Sequence, residues 1–490
     1  MSRTDTVERP RFMAGALAPM IIGCALFMQT LDSTIISNAL PTMARSLHED
    51  AVTLNLAITA YLLAAAVFLP ISGWAADRFG AKNIFRIAIL TFATSSLFCG
   101  LAQNLPELVA ARIFQGMAGA MMAPVGRLVL LRSVPKSELV RAMSYLTMPA
   151  MLGPVLGPPV GGFIVTYFSW RWIFFINIPV AILGVILVSI FIENVREEGE
   201  HKLDWRGFVL TGFGFAGIVY GFENLGRGLM PFYGVAGLLI GGLLCMGAYA
   251  WHARRTPHAI LDLSVLKLPS FMTSTIGGTP LRMAMGSTPF LLALLLQMGF
   301  GMSPLEAGLI TFTSAAGALL MKVTARPIIA WLGFKNVLIW NTVLTGAIFM
   351  SYGFFKQTTP HAWIITTLLV GGFFRSLMFT ALNAMAYADV DPPRMSRASS
   401  LASMAQQLSQ SLGIGFAAIL LSFLRHGHTG HALQASDVTP AFFIIGALTF
   451  VGLFFFLPLP HDIAAEVSGR TSRQTQPEPM SLGALTPVED

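Results

Sequence analysis

Stretches of about 20 apolar residues, broken by short polar segments, recur from Ala14 to Leu459. Each is long enough to cross a hydrocarbon core of about 30 Å as an α-helix. The pattern predicts fourteen spans: 14–37, 51–76, 84–104, 107–131, 139–167, 172–192, 207–223, 232–251, 270–299, 304–330, 335–355, 362–386, 398–424 and 439–459. Membrane β-barrels would instead read as alternating segments of about 10 residues, which the sequence lacks. The expected fold class is an all-α polytopic membrane protein.

The polar segments orient the spans. Lys and Arg number 21 in the two tails and the loops on their side, against five opposite: Arg45, Arg171, Arg227, Lys356 and Arg425. Basic loops stay inside, so both termini are expected to be cytoplasmic. Composition agrees with the membrane reading. Of 490 residues, 54% are hydrophobic and 11% charged, where a soluble domain carries about 25% charge; the mean hydropathy is +0.68. The net charge of +7 is scattered through short loops, so it reads as topology and not as a nucleic-acid surface. Cys24, Cys99 and Cys245 stand alone in apolar runs, without disulfide or metal spacing. Arg9 and Arg11 before the first run mimic a signal peptide, but the run outlasts a typical h-region, so an uncleaved first helix is expected.

The chain repeats itself. "GAKNI" at 80–84 matches "GFKNV" at 333–337, and "RAMSYLTM" at 141–148 matches "RASSLASM" at 397–404. Gly116 faces Gly372 at the second offset. This predicts two six-helix bundles, 14–192 and 270–459, with an inserted helix pair at 207–251. A charged cytoplasmic linker, 193–206, precedes the pair, and an interfacial linker, 252–269, expected to form a short interfacial helix, follows it. The N-tail is 1–13, and 460–490 reads as a disordered cytoplasmic tail. Duplicated bundles around a midplane site are a transporter architecture.

Charges inside the spans are the candidate chemistry. Asp32 lies in a run whose apolar face continues through Ile35, Ile36, Ala39 and Leu40. A charge at helix centre costs about 2.5–3.5 kcal/mol on insertion scales, and such residues mark proton and substrate paths. Arg112 opens "RIFQGMAGAMMAPVGR", whose Gly116 and Gly119 suit close helix packing; Arg127, near its end, reads as structural. "GWAADRFGAKN" (73–83) joins spans two and three. Gly73 and Gly80 allow close approach and a tight turn, Asp77 can accept from backbone or arginine, and Arg78 and Lys82 fix the loop inside. "MLGPVLGPPVGG" (151–162) sets Gly153, Gly157, Gly161 and Gly162 around Pro154 and Pro158; a kinked, closely packed, gating span is expected. Gln29, Gln115, Arg282 and Arg375 are candidates for lining a substrate cavity, while Lys322 is expected to snorkel beside Arg326. "RHGHTGH" (425–431) reads as a solvated loop, and no metal is expected.

Five stretches in order, "LDSTIISNALP", "GWAADRFGAK", "RIFQGMAGA", "GPVLGPPVGG" and "WRWIFFINIP", resemble the fourteen-span drug:proton antiporters of the EmrB/QacA-type branch of the major facilitator superfamily. The resemblance spans nearly the whole chain, with its strongest motifs in the first half. Ala75 and Ala81 depart from the usual Leu and basic residue. The resemblance implies the major facilitator fold and proton-driven export by alternating access. It also implies proton coupling at Asp32 with Arg112 nearby, an access state stabilised by Asp77 and Arg78, and an antiporter motif at Gly153 to Gly162.

The function expected is therefore a proton-coupled exporter of amphipathic small molecules in a bacterial inner membrane, driven by the proton gradient without a cofactor and expected to be monomeric. A dedicated exporter of one metabolite, and a non-transporting sensor or scaffold, are the alternatives. An enzyme is disfavoured, since no catalytic cluster shares a helix face. Primary ATP-driven pumping lacks its phosphate loop. The absence of Asp or Glu well within the last six spans favours neutral or anionic substrates over cations.

Overall fold

The computed structural model describes the chain except residues 1–10, 50–53, 55, 195–201, 225–229, 257–258, 303, 426–434 and 469–490, together with a few helical side chains, Pro154 and Pro158 among them. The histidine loop, half of the charged linker and most of the C-tail thus lie outside the described residues.

The first half comprises α1 (Arg11–Leu47), α2 (Leu56–Phe79), α3 (Ala81–Leu101), α4 (Leu105–Ser133), α5 (Leu139–Tyr167) and α6 (Trp172–Phe191). The inserted pair is α7 (Trp205–Asn224) and α8 (Phe232–Ala253). The second half comprises α9 (Pro269–Gln297), α10 (Pro304–Leu332), α11 (Phe334–Phe354), α12 (His361–Met385), α13 (Met395–Arg425) and α14 (Asp437–Phe456). Among the described residues, eleven helices are long and apolar enough to cross a membrane. The long helices α5, α7 and α13 stand where the remaining three spans were expected. Large apolar side chains such as Phe98, Phe114, Leu244 and Val323 are exposed, as a lipid-facing surface requires.

The two halves repeat the same local devices. Gly80 adopts φ +88° and lets α2 turn directly into α3; Gly333, at φ +80°, does the same between α10 and α11. A side chain is strained at such angles, which explains the glycine in both copies of the repeat. The packing repeats as well. Gly116 lays α4 on the backbone of Tyr61 in α2, and Gly372 lays α12 on the backbone of Ser314 in α10. Gly157 seats α5 on α1, and Gly413 seats α13 on α9. In each case a methyl group would strike the facing helix, so glycine sets the interaxial distance.

The inserted pair has a defined seat. Phe208 of α7 meets Phe68 of α2, with ring centroids 5.7 Å apart, and Gly415 of α13 lies against Phe222 of α7. Helix α7 thus bridges the halves, while α8 packs on α7 and turns Ile240, Leu243 and Leu244 outward. One expectation is corrected. The 252–269 linker is not an interfacial helix: it forms a short 3₁₀ turn, Leu263–Lys267, and Ile260, Leu261 and Val265 are buried in the protein. The Tyr249 hydroxyl anchors it, bonding the carbonyl and amide of Leu261 at 2.8 Å each. Helix α5 is α-helical without interruption from Leu139 to Tyr167.

The halves are joined toward the end where α2 turns into α3. Ser72 and Ser400 hydroxyls lie 2.9 Å apart. Gly73 abuts the Ser396 carbonyl. Ser399 donates to the Pro124 carbonyl at 3.0 Å, and Lys136 to that of Ala388 at 2.9 Å. Arg326 of α10 reaches Glu138, just before α5, at 2.5 Å. This end of the molecule is closed. In a background without native cysteines, the Ser72→Cys, Ser400→Cys double variant is expected to form a disulfide under mild oxidation. The halves should then stay joined after protease cleavage of an engineered site at 195–201. Separation of the halves would contradict the closed seam.

Candidate functional site

Asp32 sits in the middle of the unbroken α1, one per cent exposed. Burying a lone carboxylate is prohibitive unless it is paired and hydrogen-bonded. The fold supplies three donors. Arg112 Nη1 of α4 reaches Asp32 Oδ2 at 2.7 Å. Gln115 Nε2 and Asn177 Nδ2 reach Oδ1 at 3.0 and 2.8 Å.

The arginine is equally enclosed. Gln115 follows Arg112 by three residues and so shares its helix face; its Oε1 accepts from Arg112 Nη1 at 2.6 Å. Arg112 Nε donates to the Ala57 carbonyl of α2 at 3.3 Å, and the guanidinium lies over the Tyr61 ring, 4.4 Å from its centroid. The Ser96 hydroxyl of α3 accepts from Gln115 at 2.7 Å and from Asn177 at 3.3 Å. Five helices, α1, α2, α3, α4 and α6, therefore converge on one buried ion pair. Gln29, three residues before Asp32, donates instead to the Gly119 carbonyl at 3.0 Å, where the missing side chain leaves room for it and for the Tyr61 hydroxyl.

Asn177 and Ser96 were not singled out in the sequence. Asn177 had a signal, an amide inside the apolar "FFINIPVAIL". Ser96 had none, because serines in apolar spans ordinarily bond their own helix.

The glycine stripe of α5 lies beside this pair. Gly153 packs on Thr30 and Leu31, Gly157 on Thr34, and Gly161 on Ile35. Thr30 and Thr34 donate to the carbonyls of Ala150 and Gly153 at 2.9 and 3.3 Å. The stripe grips the turns of α1 that carry Asp32. Gly162 lies off this face, with open space where a Cβ would stand; it is one residue out of the i+4 register. Pro154 and Pro158 lie in α5, but their side chains are outside the described residues.

A second charged group closes the seam. Asp77 accepts from Arg132 Nη2 of α4 at 2.9 Å and makes a short contact with the Ser396 hydroxyl of α13. Its partner is thus Arg132 and not Arg78, which is exposed. Lys82 donates to the Ser189 carbonyl of α6 at 2.9 Å, tying the α2–α3 turn to its own half. Arg127, expected to be structural, donates across the seam to Tyr387 and Ser403 hydroxyls at 3.2 and 3.4 Å.

The second half departs from expectation. Arg282 is four per cent exposed, and its Nη1 donates to the carbonyls of Ser274 and Thr275 at 2.7 and 3.3 Å. These belong to a π-helical turn, Thr273–Gly277, whose wider winding leaves carbonyls to be satisfied. Arg375 is half-buried beside Tyr352, on the α11 side of its bundle. Lys322 does not snorkel. It is four per cent exposed, and its amine donates to the Thr380 hydroxyl at 2.7 Å.

Duplicated helical bundles, a charged pair sealed inside one, and a polar seam between them define a multi-pass membrane transporter of the secondary type. The chain belongs to the Major Facilitator Superfamily, whose family model matches residues 22–413 and again 275–486. It is 35% identical over 461 residues to the putative multidrug resistance protein MdtD of Yersinia enterocolitica, covering 94% of this chain and 97% of that one. It is 35% identical over 429 residues to the probable transport protein HsrA of Haemophilus influenzae, covering 88% and 91%. Among solved structures, the human organic anion transporter MFSD10 (TETRAN) superposes with a TM-score of 0.64 at 13% identity, over 91% of this chain and all of that one. A double Trp mutant of XylE does so with 0.61 at 16%, over 92% and 97%. These two bear on fold alone.

The buried pair makes its members unequal to lose. Removing Arg112 as Arg112→Met leaves a carboxylate uncompensated, which costs about 3–5 kcal/mol. Asp32→Asn, Arg112→Met should recover much of that loss. Thermal unfolding of the detergent-purified variants at neutral pH checks both; equal stability of the single and double variants would contradict the pairing.

Proposed function

We propose that the protein exports amphipathic small molecules, with multidrug efflux as the leading reading, in exchange for protons across a bacterial inner membrane. The observation that carries this is the sealed Asp32–Arg112 pair. Its carboxylate is one per cent exposed and held by donors from two other helices, and neutralising it by a proton alters each of the three bonds it accepts. The names of the 35%-identical relatives support transport and drug efflux as the class of cargo.

The sequence of events follows from the bonds. With Asp32 ionised, Arg112, Gln115 and Asn177 hold α1 against α4 and α6. A proton reaching Asp32 from outside neutralises the carboxylate and converts an acceptor into a donor. Arg112 then loses its counter-charge, and the grip on α1 slackens. Helix α1 moves against α5 through the Gly153 and Gly157 contacts. Helix α5 carries the change to Glu138 and Arg326, and so to the closed seam. Opening there admits substrate and releases the proton inward; reclosure restores the ion pair.

In this reading both termini are cytoplasmic, α5, α7 and α13 complete fourteen spans, and α7 holds the halves in register while they rock. The working unit is taken as the single chain.

The test is transport in proteoliposomes. Wild-type protein is expected to expel a mixed panel of amphipaths faster when an inward proton gradient is imposed. Asp32→Asn should lose that acceleration at least tenfold while keeping substrate-for-substrate exchange. A variant that responds to the gradient as wild type does would overturn proton coupling at Asp32.

A further inference from the structure

Outside the Asp32 cluster, α3 and α4 enclose a groove of about 520 Å³, on the half of α3 away from the α2–α3 turn. Each helix gives it one stripe: Thr91, Ser95 and Phe98 on α3, and Glu107, Ala111 and Phe114 on α4, at the spacing that shares a helix face. Small residues make the floor, where Ser95 and Ala111 are buried, and Phe98 and Phe114, 63% and 57% exposed, make the walls. Its hydroxyls are spent on their own helix. Ser95 donates to the Thr91 carbonyl at 2.7 Å and Thr94 to that of Leu90 at 2.9 Å. The groove thus suits hydrocarbon. It follows α3 from Thr91 to Leu101, about 15 Å of helix, which is the depth of one leaflet in a core about 30 Å thick.

The mouth of the groove is charged. Glu107 is the one charged residue among those lining it, and it is exposed. Its carboxylate caps the turn between the helices: Oε2 accepts from the Gln103 amide at 2.9 Å and Oε1 from Asn104 Nδ2 at 2.7 Å. A cation holds the other side of the same peptide unit. Arg171 Nη1 donates at 2.6 Å to the carbonyl of Ala102, which lines the groove, and at 2.8 Å to that of Gly100. A carboxylate and a guanidinium therefore flank the Ala102–Gln103 peptide. Among the described residues neither has an ion-pair partner, and the guanidinium hydrogen-bonds through Nη1 alone.

We propose that this groove binds phosphatidylethanolamine from the leaflet at that end. An acyl chain lies between Phe98 and Phe114, the ammonium donates to Glu107, and the phosphate meets Arg171. A trimethylated choline has no N–H to donate to the carboxylate, and a glycerol headgroup brings no positive charge. The residues that follow Ser95 and Ala111 are Ser96 and Arg112 of the Asp32 cluster, so the chain packs along the helix turns that carry the ion pair. The site goes beyond the exporter reading and does not depend on it.

Native mass spectrometry of the delipidated protein, with dioleoyl phosphatidylethanolamine, phosphatidylcholine and phosphatidylglycerol added in turn, tests it. The ethanolamine lipid is expected to bind about fivefold more tightly than either of the others, the upper range for a solvent-exposed ion pair. Glu107→Gln should abolish that preference. Glutamine serves the same helix cap, so the unfolding temperature of this variant without lipid should match wild type. Arg171→Gln should weaken all three lipids, which share the phosphate. Ala110→Trp, which fills the groove from an exposed position, should also weaken all three. Equal binding of the three lipids by wild type, or a preference that survives Glu107→Gln, would overturn the site. Displacement of the bound ethanolamine lipid by equimolar tetraphenylphosphonium, a cation without N–H donors, would overturn it too, because the groove would then serve cargo.

Discussion

One buried salt bridge organises the first half of this protein. A carboxylate and a guanidinium at membrane depth cannot be left apart, because each alone carries a desolvation penalty of several kcal/mol. Their union therefore dictates the neighbourhood: amides from α4 and α6 take the remaining carboxylate lone pairs, a carbonyl from α2 and the Tyr61 ring take the rest of the guanidinium, and Ser96 ties the two amides together. Five helices are held to one point. In the proposed mechanism the same arrangement answers to one proton, since protonation removes the charge that justifies it.

In that mechanism the glycines turn the local change into leverage. Gly153 and Gly157 bring the α5 backbone onto the threonines flanking Asp32, and the same helix begins beside Glu138, which reaches Arg326 in the opposite half. A closely packed helix transmits a shift without absorbing it in side-chain rearrangement. The repeat has kept this helix-on-helix contact in both halves, at Gly157 and Gly413, but not the chemistry. The second half holds buried cations on carbonyls and hydroxyls where the first half holds an ion pair. That asymmetry places the proposed proton chemistry in the first half.

Much of this was legible in the chain. Apolar run lengths, the bias of Lys and Arg, and the GAKNI/GFKNV repeat led to a duplicated helical membrane protein, because bilayer thickness and backbone satisfaction leave few alternatives. Asp32 and Arg112 stood out because charges in apolar spans are rare. Their polar partners were harder to find. Asn177 and Ser96 are small neutral residues whose importance comes from which helix faces which, and that is set by tertiary packing. For the same reason the sequence could not tell that Asp77 pairs with Arg132 and not with adjacent Arg78, that Lys322 turns inward to Thr380, or that a π-helical turn would claim Arg282. The linker at 252–269 misled because its apolar residues suit a membrane surface and a protein groove equally well.

The central claim is that Asp32 is the group that takes up and gives back the proton. Infrared difference spectroscopy of the purified protein in lipid, between acid and alkaline pH, reads this without any substrate. The account predicts a carboxylic-acid carbonyl band, formed at acid pH, that is present in wild type and missing from Asp32→Asn while the helical amide bands match. An unchanged carboxylic-acid band in Asp32→Asn would contradict it.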